Sequence, residues 1–293
     1  EFPSPLVTYA VKATARADEE KLQVGMHRLH DEDPTFETHY DSETHETILS
    51  GMGERHIEVS MARLKRLLNV SAELRTPRIA YRETLTATAE GQGRHKKQSG
   101  GRGQFGDCWV RLRPGLRGKG YEYVDAIKGG VIPRAYIPAV DKGVQEASER
   151  GILAGYPVVD FICECFDGSS HSVDSNEASF KMAGILAFKN IAPKCRPVLL
   201  EPLHEVEITT PDHYLGDVMG DISGRRGQIL GSDVIEGVGT KVKCIVPQAE
   251  LYLYATKLQS MTHGRGTFVH RFSTYELMPH EAAAKVIAEA ERE

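Results

Sequence analysis

Cations, amides and glycines crowd one short segment, Arg94-His95-Lys96-Lys97-Gln98-Ser99-Gly100-Gly101-Arg102-Gly103-Gln104. Lys96, Lys97 and Arg102 offer positive charge, while Gln98, Ser99 and Gln104 offer neutral donors and acceptors. Gly100, Gly101 and Gly103 let the backbone turn tightly and come close to another surface. That set suits a phosphodiester backbone better than a protein core. A second segment, Asp167 to Asp174, is rich in turn residues and carries Ser169, Ser170 and His171. A third group, Arg225, Arg226, His263 and Arg265, sets cations beside glycines near the end of the chain. Each group has a plainer reading too. The first is also what a solvated hairpin tip looks like, and the arginines also suit a helix end whose dipole they offset. Arg63, Lys65 and Arg66 stand as either a solvated helix face or a contact surface.

The charge is local. The 293 residues carry a formal net charge of -5, which excludes a protein that binds nucleic acid over its whole surface. Between Arg94 and Lys119 the cations are Arg94, Lys96, Lys97, Arg102, Arg111, Arg113, Arg117 and Lys119, and Asp107 is the only acid. Other chemistries fall away. A G-x-x-x-x-G-K-[ST] phosphate loop is absent, since Gly118-Lys119-Gly120 lacks the spacing and the hydroxyl. Without it, Asp217 to Gly220 and Asp221 to Gly224 read as helix and turn, so no GTP hydrolysis and no catalytic residue is expected in this chain. His56-Ile57-Glu58 echoes a zinc deaminase without the P-C-x-x-C that should follow. On a helix with Ile57 buried, His56 and Glu58 should lie off the core face. Cys108, Cys163, Cys165, Cys195 and Cys244 form no metal spacing and read as reduced thiols of a cytoplasmic protein, with no metal and no cofactor. No apolar run is long enough to span a bilayer, so no membrane partner is expected. The start at Glu1-Phe2-Pro3, without methionine, suggests a piece of something longer, expected to be monomeric.

The elements that would position these groups repeat. Residues 1–76 read as β-α-β-β-α-β: a strand to Val11, a helix capped by Asp18 with Leu22, Met26 and Leu29 on one face, and strands near 36–40 and 47–49. A helix with Ile57, Met61, Leu64 and Leu68 on one face and a strand at 70–74 complete it. This is the order of a ferredoxin-like split βαβ domain. Residues 201–279 give the same order with a different sequence. The middle, 77–200, predicts strands over 82–90 and 108–112 around the basic segment, a helix over 137–150 and a strand over 158–166. Asp174 to Glu177 forms a capping box for a long helix. The tail, 280–293, reads as a helix with Ala284, Ile287 and Ala288 as its apolar stripe.

In order and spacing, a set of motifs resembles the C-terminal half of elongation factor G, over essentially the whole chain. They include Glu32-Asp33-Pro34-Thr35-Phe36, Ser50-Gly51-Met52-Gly53-Glu54, Tyr81-Arg82-Glu83-Thr84, Lys97 to Gly106 and Gly129-Gly130-Val131-Ile132-Pro133. Further on come Ala154 to Pro157, Asp167 to Ser175, Leu199-Leu200-Glu201-Pro202, Gly224 to Gly227 and Met261 to Gly266. The resemblance implies an α+β chain of three domains. Ferredoxin-like domains III (1–76) and V (201–279) flank domain IV (77–200). Domain IV is implied to resemble the second domain of ribosomal protein S5 and to hold a left-handed βαβ crossover, and the helix 280–293 is implied to pack back on it. In the family the basic loop and the His171 loop lie together at the tip of domain IV. That tip enters the A site of the decoding centre and touches the tRNA–mRNA duplex, while domain V meets large-subunit ribosomal RNA. Contacts to RNA are thereby implied for Lys96 to Gln104, Ser169 to His171, Arg225, Arg226, His263 and Arg265. GTP and Mg are implied only for N-terminal GTPase domains of a full-length protein, which would be partners of this chain. The implied function is tRNA–mRNA translocation. The alternatives are subunit splitting with ribosome recycling factor, ribosome protection, or a protein scaffold that has left the ribosome, which predicts degenerate tip loops. Arg55, Gln259, His263 and the stretch Leu251 to Tyr254, where the family commonly shows phenylalanine-glycine-tyrosine, point to a divergent paralogue.

Overall fold

The computed structural model describes Pro5, residues 7–98 and residues 103–292. Ser99, Gly100, Gly101 and Arg102 lie outside the described residues. The chain forms two compact units, Glu1–Ala80 with Pro202–Ser273, and Tyr81–Glu201 with Thr274–Glu293.

In the first unit, β1 (Val7–Ala13) turns Val7, Val11 and Ala13 toward two helices, the period-2 pattern of a half-buried strand. α1 (Glu19–Glu32) buries Leu22, Met26 and Leu29, and α2 (Glu54–Leu68) buries Ile57 and Leu64. With β2 (Glu37–Asp41), β3 (Glu46–Gly51) and β4 (Ala72–Arg75) they complete an antiparallel sheet of order β2-β3-β1-β4. One expectation fails here. Asp18 stands at the head of α1 but does not cap it; its carboxylate takes the Lys21 ammonium at 3.0 Å instead. His56 stands outside the buried cluster that holds Ile57, and its ring is engaged: its Nδ1 accepts from the Met52 N–H at 3.1 Å and its Nε2 lies 3.1 Å from Asp33. The imidazole thus ties the Asp33 turn to the start of α2.

The second unit begins with β5 (Arg82–Leu85), β6 (Ala89–Lys97), β7 (Gln104–Pro114) and β8 (Tyr121–Asp125). α3 (Ile137–Ser148), β9 (Phe161–Ser169) and α4 (Glu177–Ile191) follow. The sheet order is β6-β7-β9-β8, with β8 parallel to β9 through the α3 crossover and the rest antiparallel. The single strand expected over 82–90 breaks in two because the Thr86 and Ala87 N–H groups both turn to the Cys195 carbonyl. The strand expected from Val158 starts at Phe161, after Asp160 adopts a positive φ of 57°. The Glu83 carboxylate, fully buried, accepts four backbone N–H groups from Ile152, Leu153, Ala154 and Tyr156. A buried charge is tolerable only with such compensation. α4 lies close against the β6–β7 hairpin. A Cβ on Gly93 would stand 2.1 Å from the Ala183 carbonyl, and one on Gly106 2.3 Å from that of Ser179. Glycine at both positions lets helix backbone meet strand backbone.

The last part of the chain supplies β10 (Pro197–Thr210), α5 (Leu215–Gly224), β11 (Gln228–Ile235), β12 (Gly239–Pro247), α6 (Tyr254–Met261), β13 (Thr267–Leu277) and α7 (His280–Ala290). Its sheet order, β11-β12-β10-β13, matches that of the first fold position for position. The chain is therefore α+β, with the ferredoxin-like order present twice. Within the first unit Leu253 adopts φ 55° and packs against the β1–β4 core, and Tyr252 meets Tyr9 edge-on with ring centroids 6.3 Å apart. The apolar stripe of α7 is displaced from the one expected. Ala282, Ala283, Val286, Ile287 and Ala290 are half-buried, while Ala284 and Ala288 are exposed.

Candidate nucleic-acid interface

β6 and β7 pair from Ala89↔Leu112 to Lys97↔Gln104, which sets Gln98 and Gly103 at one end of the sheet. Alternation along β6 sends adjacent side chains to opposite faces. Lys96 therefore shares a face with Arg94 and Phe105, and Lys97 shares the α4 face with His95 and Gln104. The Arg94 guanidinium lies over the Phe105 ring at 5.7 Å, and His95 Nε2 bonds Gln104 Oε1 at 2.8 Å. Lys96, Lys97 and Gln98 are exposed, and among the described residues no carboxylate pairs with either lysine.

The second segment is fastened to this hairpin. The Gly103 N–H donates to Asp174 Oδ1 at 3.1 Å, and the Phe105 N–H donates to the Asp174 carbonyl at 2.9 Å. Ser175 Oγ donates to the Phe105 carbonyl at 3.0 Å and accepts from the His171 N–H at 2.8 Å. His171 sits 6.4 Å from the Phe105 ring. Its Nδ1 accepts weakly from the Val173 and Asp174 N–H groups, both at 3.3 Å. The same Nδ1 lies 3.5 Å from the Asp174 carboxylate, and the His171 side chain is exposed. The hairpin end and the His171 loop are one structure.

Not every expected group is available. Ser169 Oγ donates to Asp107 Oδ2 at 2.7 Å, and Gln92 donates to the other oxygen at 2.7 Å, so Ser169 and the acid of the basic stretch bind each other. Ser170 is exposed. Arg111 is clamped between Glu90 and Glu164, and Arg117 faces Asp160. The capping box is also resolved differently. Asn176 caps α4 by accepting from the Ser179 N–H at 2.8 Å, and Asp174 serves the hairpin. Phe105, Asp174 and Ser175 are site residues that sequence reasoning missed. Phe105, the one aromatic side chain at the base of the basic segment, was the available signal.

The third group does not form one surface. Arg225 lies over the Tyr254 ring at 5.0 Å, at the start of α6, whereas His263, beyond the end of α6, meets Tyr214 at 5.9 Å, before the start of α5. α5 and α6 thus run antiparallel, and the two cationic ends stand about 15 Å apart for a ten-residue helix. Arg225 donates to Asp221 and to the Glu250 carbonyl, both at 2.7 Å, and Arg226 Nε faces Glu250 Oε1 at 3.2 Å. Arg265 is exposed. Gln259 donates to the Gly266 carbonyl at 3.0 Å, and so shapes the loop that carries His263. Arg55 is an exposed residue 3.7 Å from Glu58. Arg63 pairs with Glu32, and Lys65 and Arg66 are exposed.

The Gly120 N–H donates to Asp160 Oδ1 at 2.9 Å. Asp221, in the stretch Asp221 to Gly224, holds Arg225. All five cysteines are buried, and burial pushes the Cys165 and Cys244 thiols up to about 11, so they are packing groups in the thiol form. No helix among the described residues is long and apolar enough to cross a membrane.

Residues 2–76 match the family described as Elongation Factor G, domain III, residues 77–196 match Elongation factor G, domain IV, and residues 198–286 match Elongation factor G C-terminus. A crystal structure of a protein from Thermus thermophilus is similar at 39% identity with a TM-score of 0.88. The similarity covers 100% of this chain and 44% of that one. The chain thus spans less than half the length of this relative.

Proposed function

Because the chain belongs to the elongation factor G family, with domains III and IV and the C-terminal domain of such a factor, we propose that it engages the ribosome and drives tRNA–mRNA translocation through the tip of its second unit. The observation that carries this reading is the fastening of the hairpin end to the His171 loop through Gly103, Phe105, Asp174 and Ser175. It joins the hairpin and the loop into one projection with cations on both faces that meet no carboxylate among the described residues. Such a projection suits an A-form duplex, whose 2′-hydroxyls and phosphates are presented whatever the codon. Lys96 and Lys97 neutralise phosphates on either side of the hairpin. Gln98 and the His171 imidazole bond ribose or phosphate oxygens. The tip acts as a pawl in the vacated A site, blocking the return of the tRNA. GTP hydrolysis belongs, on this reading, to other domains of the whole protein, and no residue of this chain does chemistry.

The test is the triple substitution Lys97→Ala/Gln98→Ala/His171→Ala in the intact protein, with single-round translocation and subunit splitting measured side by side. Translocation should slow while splitting holds. Loss of splitting alone would move the protein to recycling, and unchanged rates in both would sink the tip reading.

A further inference from the structure

The motif Lys128-Gly129-Gly130-Val131-Ile132-Pro133-Arg134 has no part in the contacts described so far. Its place in the fold gives it one. β8 runs parallel to β9, with Asp125 opposite Cys165, so both strands finish at the end of the sheet where β6 stops and β7 starts. The loop after β8 therefore emerges beside the His171 loop. Two contacts fix it there. Ile132 is fully buried, and its Cδ1 lies 2.5 Å from where a Gly168 Cβ would be. Tyr136, stacked on Phe180 at 5.2 Å, donates its hydroxyl to the Ser175 carbonyl at 3.4 Å. Ser175 is the residue that binds His171 to Phe105.

What the loop presents outward is charge and bare backbone. Lys128 and Arg134 are exposed, and among the described residues neither is ion-paired. Gly129 and Gly130 take φ of 68° and 69°, with nothing within 4 Å of a Cβ on either. Both glycines hold the left-handed conformation that L-residues resist, and their backbone stands uncovered for close approach. The nearest acid in sequence, Asp125, turns its carboxylate back onto the Ile127 N–H at 3.0 Å.

We infer that residues 128–134 form a third RNA-backbone contact of the tip, with Lys128 and Arg134 seated on phosphates of the same duplex or of the ribosomal RNA beside it. This rests on the reading of the tip as an RNA probe. It adds to that reading a surface on the β8 edge of the sheet, on the far side of β9 from the hairpin. A cation seated on a phosphate releases counterions, so its removal lowers the salt dependence of binding by roughly 0.7–0.9.

The experiment measures binding of the intact protein to whole ribosomes, with a non-hydrolysable GTP analogue, from about 50 to 200 mM salt. Three forms are compared: wild type, Lys97→Ala, and Lys128→Ala/Arg134→Ala. The double substitution should flatten the slope by about 1.5, so that wild type loses roughly eightfold more affinity than it over that range. A flattened slope with Lys97→Ala and an unchanged one with the double substitution would overturn this inference and leave the tip reading standing. Unchanged slopes in both would overturn the two together.

Discussion

At the end of α5, Arg225 is enclosed by its own unit: Asp221 and the Glu250 carbonyl at 2.7 Å, and the Tyr254 ring beneath the guanidinium. At the end of the β6–β7 hairpin, Lys96 and Lys97 meet no carboxylate among the described residues, and the acids nearby are engaged elsewhere: Asp107 by Gln92 and Ser169, Asp174 by the Gly103 N–H. Both regions are basic in sequence. In one, the charge is part of the packing; in the other, the packing occupies the acids and leaves the lysines without a carboxylate partner among the described residues. Residue type follows use. The planar guanidinium can face a carboxylate, a carbonyl and an aromatic ring at once, whereas an ammonium is a point charge on a flexible stem that follows a mobile phosphate.

The difference depends first on the scaffold under the hairpin. Gly93→Ala or Gly106→Ala drives a methyl group into the α4 backbone, which cannot yield as a side chain would. Destabilisation of about 3 kcal/mol or more is expected from such overpacking, read as a fall in the denaturant midpoint of the second unit. If either variant is as stable as wild type, the hairpin is not pinned by α4.

Arg225→Ala comes next, at about 2–3 kcal/mol of lost stability. It strands the Asp221 carboxylate and the Glu250 carbonyl and uncovers Tyr254. Ribosome affinity of the folded protein should not change in its salt slope. A flatter slope with undiminished thermal stability would break the comparison, since Arg225 would then be serving RNA and not the fold.

Histidine divides in the same way. His204 and His270 face each other with Nδ1 atoms 2.9 Å apart. Burial, and then the neighbouring His270, push the half-buried His204 down to about 4; His270 is shifted down too, although its side chain is exposed, so His204 carries the effect. As pH falls from about 6.5 toward 4, the unfolded chain takes up protons that the native pair refuses, so stability is present above that window and is lost through it. Urea midpoints of the first unit should decline over that range, and His204→Phe should flatten the decline. His171→Ala should leave it untouched, because that ring lies in the other unit, on an exposed loop.

Local pattern carried the fold a long way. The period of α1 and α2, the repeated β-α-β-β-α-β order and the hairpin around the basic segment were all legible, because each is set by neighbours along the chain. What escaped depended on partners far away in sequence. Glu83 reaches the 152–156 loop, and the Cys195 carbonyl stops a strand at Thr86. Asp174 looked like a helix cap and is instead the clasp of the hairpin, since Asn176 wins the Ser179 N–H. β8 gave no strong alternation and was missed, and with it the position of the Lys128 loop. The apolar stripe of α7 slipped round the helix because an Ala/Glu-rich sequence hardly distinguishes its faces.

The finest distinction comes from conservative exchange. Arg225→Lys keeps the charge but loses the fork: an ammonium can reach Asp221 or the Glu250 carbonyl but cannot lie flat over Tyr254. A loss of about 1–2 kcal/mol is expected. Lys97→Arg keeps the charge on a side chain with no fixed partner among the described residues, so stability should move by less than about 0.5 kcal/mol, as for an ordinary surface change. Its salt slope should match wild type, because counterion release counts charges and not their shape. Should Lys97→Arg instead weaken ribosome binding severalfold, Lys97 would sit in a shaped pocket in the bound state, and the tip would recognise its partner by fit and not by charge alone.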